Sequence, residues 1–270
     1  MKYIQAFFMS LGMFSSIPCP YRPWNEKARR LMLVFFPLVG LVIGLIWYGL
    51  WLLLDWTDIP FQLQAAAMML YPYLITGFIH LDGFMDTSDA LLSRRPLKDK
   101  LQILKDPHTG AFAVISVAVL FVFCFGSMSV VIEQLHFKQA LGVANGDPML
   151  ALILIPVITR CCSAIAVLGG KPLDHSQYRQ EPEVKKPAAE VAAVCLMGLA
   201  AILVSLAIGT GMLGKAADWS VFLVMAGAVL AYLAAMLGAV RQLGGVSGDL
   251  AGYALTVGEG FAVVVLALLV

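Results

Sequence analysis

The chain has 270 residues, of which 60% are apolar and 13% charged, and its formal net charge is +1. A soluble domain carries about 25% charged residues, and at a mean hydropathy of +0.86 this chain cannot hide its apolar surface in one water-soluble core. The composition and near-neutral charge exclude disordered, collagen-like and nucleic-acid-binding classes. They leave an all-α polytopic membrane protein, read as one integral-membrane domain over 1–270.

The first apolar stretch, 3–14, is short and stops at Ile17-Pro18-Cys19-Pro20, which suits a helix lying in the membrane interface. A single Lys2 and the lack of a small-residue cleavage site argue against a signal peptide. Seven later runs reach the roughly 20 apolar residues a spanning helix needs: 31–54, 61–79, 111–132, 149–168, 188–213, 219–240 and 252–270. Alternate connections carry the positive charge. Fourteen of the 18 Lys and Arg residues fall in 22–30, 80–110, 169–187 and 241–251, and two in the connections between them. The positive-inside rule puts the rich side in the cytoplasm and the C-terminus outside, in a cell (inner) membrane. The five cysteines, Cys19, Cys124, Cys161, Cys162 and Cys195, are odd in number and four lie in apolar runs. They read as buried apolar residues, not as a disulfide framework.

Polar chemistry concentrates just after the second run, in His80-Leu81-Asp82-Gly83-Phe84-Met85-Asp86-Thr87-Ser88-Asp89-Ala90. Asp82, Asp86 and Asp89 stand at i, i+4 and i+7, so a helix continuing the second span would project all three from one face. Like charges at that spacing repel, and an all-oxygen donor set suits a hard cation such as Mg²⁺. Asp106, on a short charged helix over 97–106, is a fourth candidate. His80 and His108 flank the cluster, each a base or phosphate donor unless it is simply a structural histidine. Arg94, Arg95, Lys98, Lys100 and Lys105 follow. Carboxylates that hold a divalent ion beside Arg and Lys are how proteins stabilise phosphoryl transfer. Arg94 is the candidate clamp, and Lys98 and Lys100 read as membrane anchors.

A second loop on the same side, Arg241-Gln242-Leu243-Gly244-Gly245-Val246-Ser247-Gly248-Asp249, has three glycines in five residues. They let backbone N–H groups approach an anion, and Asp249 offers a ligand to a metal or a substrate hydroxyl. Arg160 and Glu259 are lone charges inside spans, where ionisable residues usually line cavities or substrate paths. The stretch 172–187, with Tyr178, Arg179, Lys185 and Lys186, offers a cover over bound substrate or a plain linker.

His80-Leu81-Asp82-Gly83 with Asp86-Thr87 and Asp89, followed by Lys105-Asp106 and Gly110-Ala111-Phe112, resembles the signature of the cobalamin synthase (adenosylcobinamide-GDP ribazoletransferase) family. Arg241, Gly244-Gly245, Gly248-Asp249 and Gly258-Glu259 look like its C-terminal motif. Phe14, Ile17-Pro18-Cys19-Pro20 and Phe36-Pro37-Leu38-Val39-Gly40 also look familial. The chain departs from that pattern at Ala90, where glycine is usual, at Ser16, where arginine is usual, and at Pro107-His108, where Ser-Arg or similar is usual.

The resemblance implies a Mg²⁺-dependent last step of nucleotide-loop assembly. Adenosylcobinamide-GDP and α-ribazole (or its 5′-phosphate) would give adenosylcobalamin (or its 5′-phosphate) and GMP. Asp82, Asp86, Asp89 and Asp106 would bind one or two Mg²⁺, with Asp89 alternatively the general base. Arg94, Arg160 and Arg241 would clamp phosphates, and Gly244, Gly245, Gly248 and Asp249 would cradle the diphosphate. Asp86-x2-Asp89-Ala90-x2-Ser93-Arg94 is also similar to the core of CDP-alcohol phosphotransferases, which leaves phospholipid synthesis as an alternative. An ion-coupled secondary transporter is a more distant one. The lipid bilayer is an expected partner, nucleic acid is not, and a homo-oligomer is left open.

Overall fold

A computed structural model describes residues 2–19, 24–142, 146–173, 187–212 and 218–270. The elements are α1 (Lys2–Phe14), α2 (Arg29–Val34), α3 (Phe36–Asp55), α4 (Phe61–Ile75), α5 (Ile79–Leu92), α6 (Leu97–Ile103), α7 (Ala111–Ala140), α8 (Ala151–Gly169), α9 (Ala188–Gly209), α10 (Ser220–Leu243) and α11 (Gly248–Leu269). Among the described residues the β pairing is one isolated bridge, Pro172 to Val246.

Six helical stretches are long and apolar enough to cross a bilayer: Arg29–Asp55, Ala111–Ala140, Pro148–Gly169, Ala188–Gly209, Ser220–Leu243 and Gly248–Leu269. Their outward faces are apolar. Val114, Ile115, Val122 and Phe123 on α7, and Leu196, Leu199 and Leu203 on α9, are all exposed. Water would penalise such faces, and lipid solvates them. The chain is an all-helical integral membrane protein. Each of the six matches an expected run. The second, Ala111–Ala140, is longer than expected, because Glu133, His136 and Lys138 continue the helix past the apolar part.

The expected span 61–79 is shortened, although it still returns the chain to the Phe36 end of α3: Trp47 donates to Met68 O and Tyr71 to Ile43 O, an antiparallel pairing. Its helix, α4, has 15 residues, which rise only about 22 Å against a hydrocarbon core of roughly 30 Å. Pro72 lies inside it and brings no N–H to the carbonyl of Met68. The indole of Trp47 donates to that carbonyl instead, at 2.9 Å. The chain then turns through two left-handed residues, Gly77 (φ 61°) and Phe78 (φ 63°), and Phe78 N–H closes on Tyr73 O at 2.9 Å. Ser16 completes the stop, its Oγ lying 2.9 Å from Leu74 O and 3.0 Å from Ile75 O. The acidic helix α5 therefore starts afresh and does not continue α4.

The centre of the bundle is α11, which packs on α10, α8, α7 and α5, with α8 held against α3. Gly40 and Gly44 press directly on the carbonyls of Pro156 and Ile153, a contact that any Cβ would block. The first helix, α1, has 13 residues and lies against α2 and α3 with Ala6, Met9, Leu11 and Phe14 buried. At about 20 Å it is too short to span.

Candidate active site

The acidic residues gather where α5 crosses α11. Gly83 lies so close to the first turn of α11 that a Cβ would sit 2.8 Å from the carbonyl oxygen of Asp249. Across the crossing, Gly252 leaves 3.2 Å between its missing Cβ and His80 O, and Thr256 Oγ1 donates to the same carbonyl at 3.2 Å. The two glycines thus let the helices meet backbone to backbone. This brings Asp249 to the face of α5 that carries Asp82, Asp86 and Asp89.

Three helix N-termini point partial positive charge at this group. Asp82 lies in the first turn of α5 and Asp249 in the first turn of α11. Ser247 caps α11, accepting from Leu250 N–H at 3.3 Å and donating to Asp249 Oδ2 at 3.4 Å. Asp89 caps α7 from a different helix, its Oδ1 accepting from Ala113 N–H at 3.2 Å. Gly110 is required there, because a Cβ would collide with the Asp89 carboxylate. Asp86 stands mid-helix with no helix end to offset it. Burial first, then the charges of Asp82, Asp249 and Asp89, push its carboxyl from 3.8 up to about 6.

Among the described residues the named causes all raise Asp86, which favours a positive partner there. Four carboxylates in one group fit a hard divalent ion. Among the described residues no three Asp, Glu, His or Cys side chains already stand at ligating distance.

The remaining expected residues fall in several places. Asp106 pairs locally with His108. Its Oδ1 lies 2.6 Å from His108 Nδ1 and accepts from His108 N–H at 3.0 Å, and these bonds lower its pKa. Arg94 is exposed just beyond α5 in a left-handed conformation (φ 55°), where a glycine would sit without strain. Arg241 is exposed in the last turn of α10. Lys100 is buried, donating to Gln242 Oε1 at 2.6 Å, and so ties α6 to α10.

Arg160 is fully buried in α8, and its Nη1 is 2.7 Å from Glu259 Oε1 on α11. The same Nη1 lies 3.1 Å from Pro156 O, and Thr159 Oγ1 donates to the same Glu259 oxygen at 3.0 Å. The two lone intramembrane charges have found each other.

In the glycine loop, Gly244 caps α10 with φ 86° and donates to Val240 O at 2.8 Å. Gly245 packs against the backbone of Lys171 and Leu173, where a Cβ would not fit. Val246 N–H donates to Lys171 O at 2.8 Å. These contacts fold the loop onto the segment after α8. Gly248 opens α11 and lines a cavity of ≈ 110 Å³ together with Asp82 and Asp249. Phe14, Phe36, His80 and Ser163 also line it. Spacing could not reveal this cavity, because α1, α3, α5, α8 and α11 each supply part of its wall. The expected cover, with Tyr178, Arg179, Lys185 and Lys186, lies outside the described residues.

The family profile described as Cobalamin-5-phosphate synthase matches residues 6–267, nearly the whole chain. The chain belongs to this family. A relative from Clostridium perfringens (strain 13 / Type A), named adenosylcobinamide-GDP ribazoletransferase, is 34% identical over 95% of each chain. One of the same name from Clostridium botulinum (strain Alaska E43 / Type E3) is 35% identical over 94% of each. A third, from Lachnoclostridium phytofermentans, is 31% identical over 98% of this chain and 95% of its own. No solved structure matches.

The positions at which the chain departs from the cobalamin synthase pattern have local accounts. Ser16 holds the end of α4. The Ala90 methyl is fully buried in a small cluster with Leu104, Leu173, Ala239, Leu243 and Leu250, so no open space is left at that position. His108 holds Asp106.

Proposed function

We propose that the protein transfers the adenosylcobinamide phosphate group from adenosylcobinamide-GDP to α-ribazole or its 5′-phosphate, at the cytoplasmic face of the cell membrane and with Mg²⁺. The products are adenosylcobalamin or its 5′-phosphate, and GMP. The observation that carries this reading is the carboxylate quartet at the α5–α11 crossing, in a chain whose relatives bear the ribazoletransferase name.

The acceptor's ribose hydroxyl oxygen bonds to the phosphorus that carries cobinamide, and the P–O bond to GMP breaks. The hydroxyl proton passes to a carboxylate. Asp89 is suited to take it, because the first turn of α7 fixes its orientation. Asp82, Asp86 and Asp249 would hold Mg²⁺, which when bound offsets charge developing on the pyrophosphate oxygens. Arg94 and Arg241, both exposed, are the candidates to meet the outer phosphates. Arg160 is not, since Glu259 already neutralises it.

The test is turnover by purified, lipid-reconstituted protein given adenosylcobinamide-GDP, α-ribazole and Mg²⁺, following corrinoid product and GMP. Asp86→Asn should lower the rate by about 100-fold or more. Full activity and unchanged Mg²⁺ dependence in Asp86→Asn would remove the metal assignment. Product from a CDP-activated lipid, and none from the corrinoid, would overturn the reaction.

A further inference from the structure

The cavity beside the quartet has a wall of two chemistries. Phe14, Phe36 and His80 form an aromatic group. The Phe14 and Phe36 centroids are 4.3 Å apart, and His80 lies 6.2 Å from Phe14, nearly parallel to it, and 5.7 Å from Phe36. Asp82 and Asp249 stand on the same wall. His80 is 8% exposed, and its buried Nε2 has no hydrogen-bond partner among the described residues. A buried ring nitrogen left unmatched is unfavourable unless a ligand completes it.

We infer that this cavity seats the heterocyclic base of the ribazole acceptor, walled by Phe14, Phe36 and His80, with His80 Nε2 meeting a ring nitrogen. The inference rests on the reaction proposed above. A flat aromatic base gains from packing against aromatic rings. Ribazole's benzimidazole has few hydrogen-bonding positions. Guanine, the other base in the reaction, has a polar edge whose donors and acceptors would all need partners if buried. Apart from the two carboxylates, the polar side chains on the wall among the described residues are His80 and Ser163, and the Ser163 hydroxyl already lies 3.4 Å from Ala251 O. At ≈ 110 Å³ the space is far too small for a corrin ring. A base seated here also puts its ribose beside Asp82 and Asp249, where the attacking hydroxyl is needed.

Two variants test the assignment. Ser163→Leu fills the cavity from α8, and Phe36→Leu removes an aromatic wall while keeping an apolar side chain. In each, the KM for α-ribazole should rise about tenfold, while the KM for adenosylcobinamide-GDP stays within about twofold. Equilibrium dialysis of α-ribazole against the same proteins, with Mg²⁺ present, should show the matching loss of binding. Folding is checked by melting temperature, and Phe36→Leu carries the test if Ser163→Leu does not fold. An unmoved acceptor KM, or equal rises for both substrates, in folded protein would overturn the subsite while leaving the reaction intact. If the wild type makes no cobalamin yet binds α-ribazole, and Phe36→Leu does not, the subsite stands and the reaction falls. A wild type that neither turns over nor binds α-ribazole removes both.

Discussion

Removing the negative partner of the buried Arg160 should destabilise the protein far more than removing the whole pair. Arg160 is wholly enclosed, and Glu259 Oε1 accepts from both its Nη1 and Thr159. Among the described residues Arg160 Nε and Nη2 have no hydrogen-bond partner, and the guanidinium carbon stands 5.4 Å from the centre of the Phe36 ring. Glu259→Gln keeps an oxygen near the guanidinium but removes the opposing charge. Breaking a buried pair in this way costs about 3–5 kcal/mol, whereas replacing both partners by apolar residues is often neutral. At about 2–4 °C per kcal/mol for a chain of this size, Glu259→Gln should lower the melting temperature in detergent by roughly 6–20 °C. The double variant Arg160→Met with Glu259→Leu should recover most of that loss. It should also keep turnover within about tenfold of the wild type, since neither residue lines the cavity at the quartet. A double variant that is as stable as the wild type but turns over more than 100-fold slower, roughly the loss seen on removing one group that stabilises the transition state, would refute this. It would mean that Arg160 contacts substrate and is not an anchor between α8 and α11.

The helix crossing and the charge on Asp86 each give a further expectation. Gly83→Ala places a methyl 2.8 Å from Asp249 O, which should cost about 1–3 kcal/mol and abolish most turnover by separating Asp249 from α5. Gly49→Ala, with nothing within 4 Å of its added methyl, should do neither, and equal effects at the two sites would remove the crossing from the account. In the absence of divalent ions, the raised Asp86 pKa, about 6 against 3.8, disfavours the ionised fold. Its contribution is complete below the ordinary carboxylate pKa and is lost as pH rises through the folded value. The melting temperature in chelator should therefore fall from about pH 4 to pH 7. Mg²⁺ or Asp86→Asn should flatten that fall, and an identical slope in Asp86→Asn would show that another group is responsible.

Hydropathy made most of the fold legible, because a lipid-facing helix must be apolar over a fixed length. It overstated the length of the helix in 61–79, where the residues stay apolar through the break. The stop depends on Pro72, on two left-handed residues and on the Ser16 hydroxyl from far away in the chain. Helical spacing placed Asp82, Asp86 and Asp89 on one face. It could not bring Asp249 to them, since that follows from two glycines more than 160 positions apart, Gly83 and Gly252, meeting across a helix crossing. The link between Asp106 and His108 was within reach, being a local i to i+2 contact. So was the Arg160–Glu259 pair: two opposite lone charges inside spans have each other as the nearest remedy. Asp89's grip on α7 left no pattern beyond the Gly110 that makes room for it.

That grip ties the active site to the bilayer itself. With 30 residues α7 is the longest helix described, and its apolar part, 111–132, rises about 33 Å, close to the roughly 30 Å hydrocarbon core. A helix so matched tilts further when the bilayer thins. Because the first turn of α7 holds the Asp89 carboxylate, a change in that angle would be passed to Asp89. If Asp89 serves the reaction proposed above, acyl-chain length would then be a mechanical input to it, carried by a single helix.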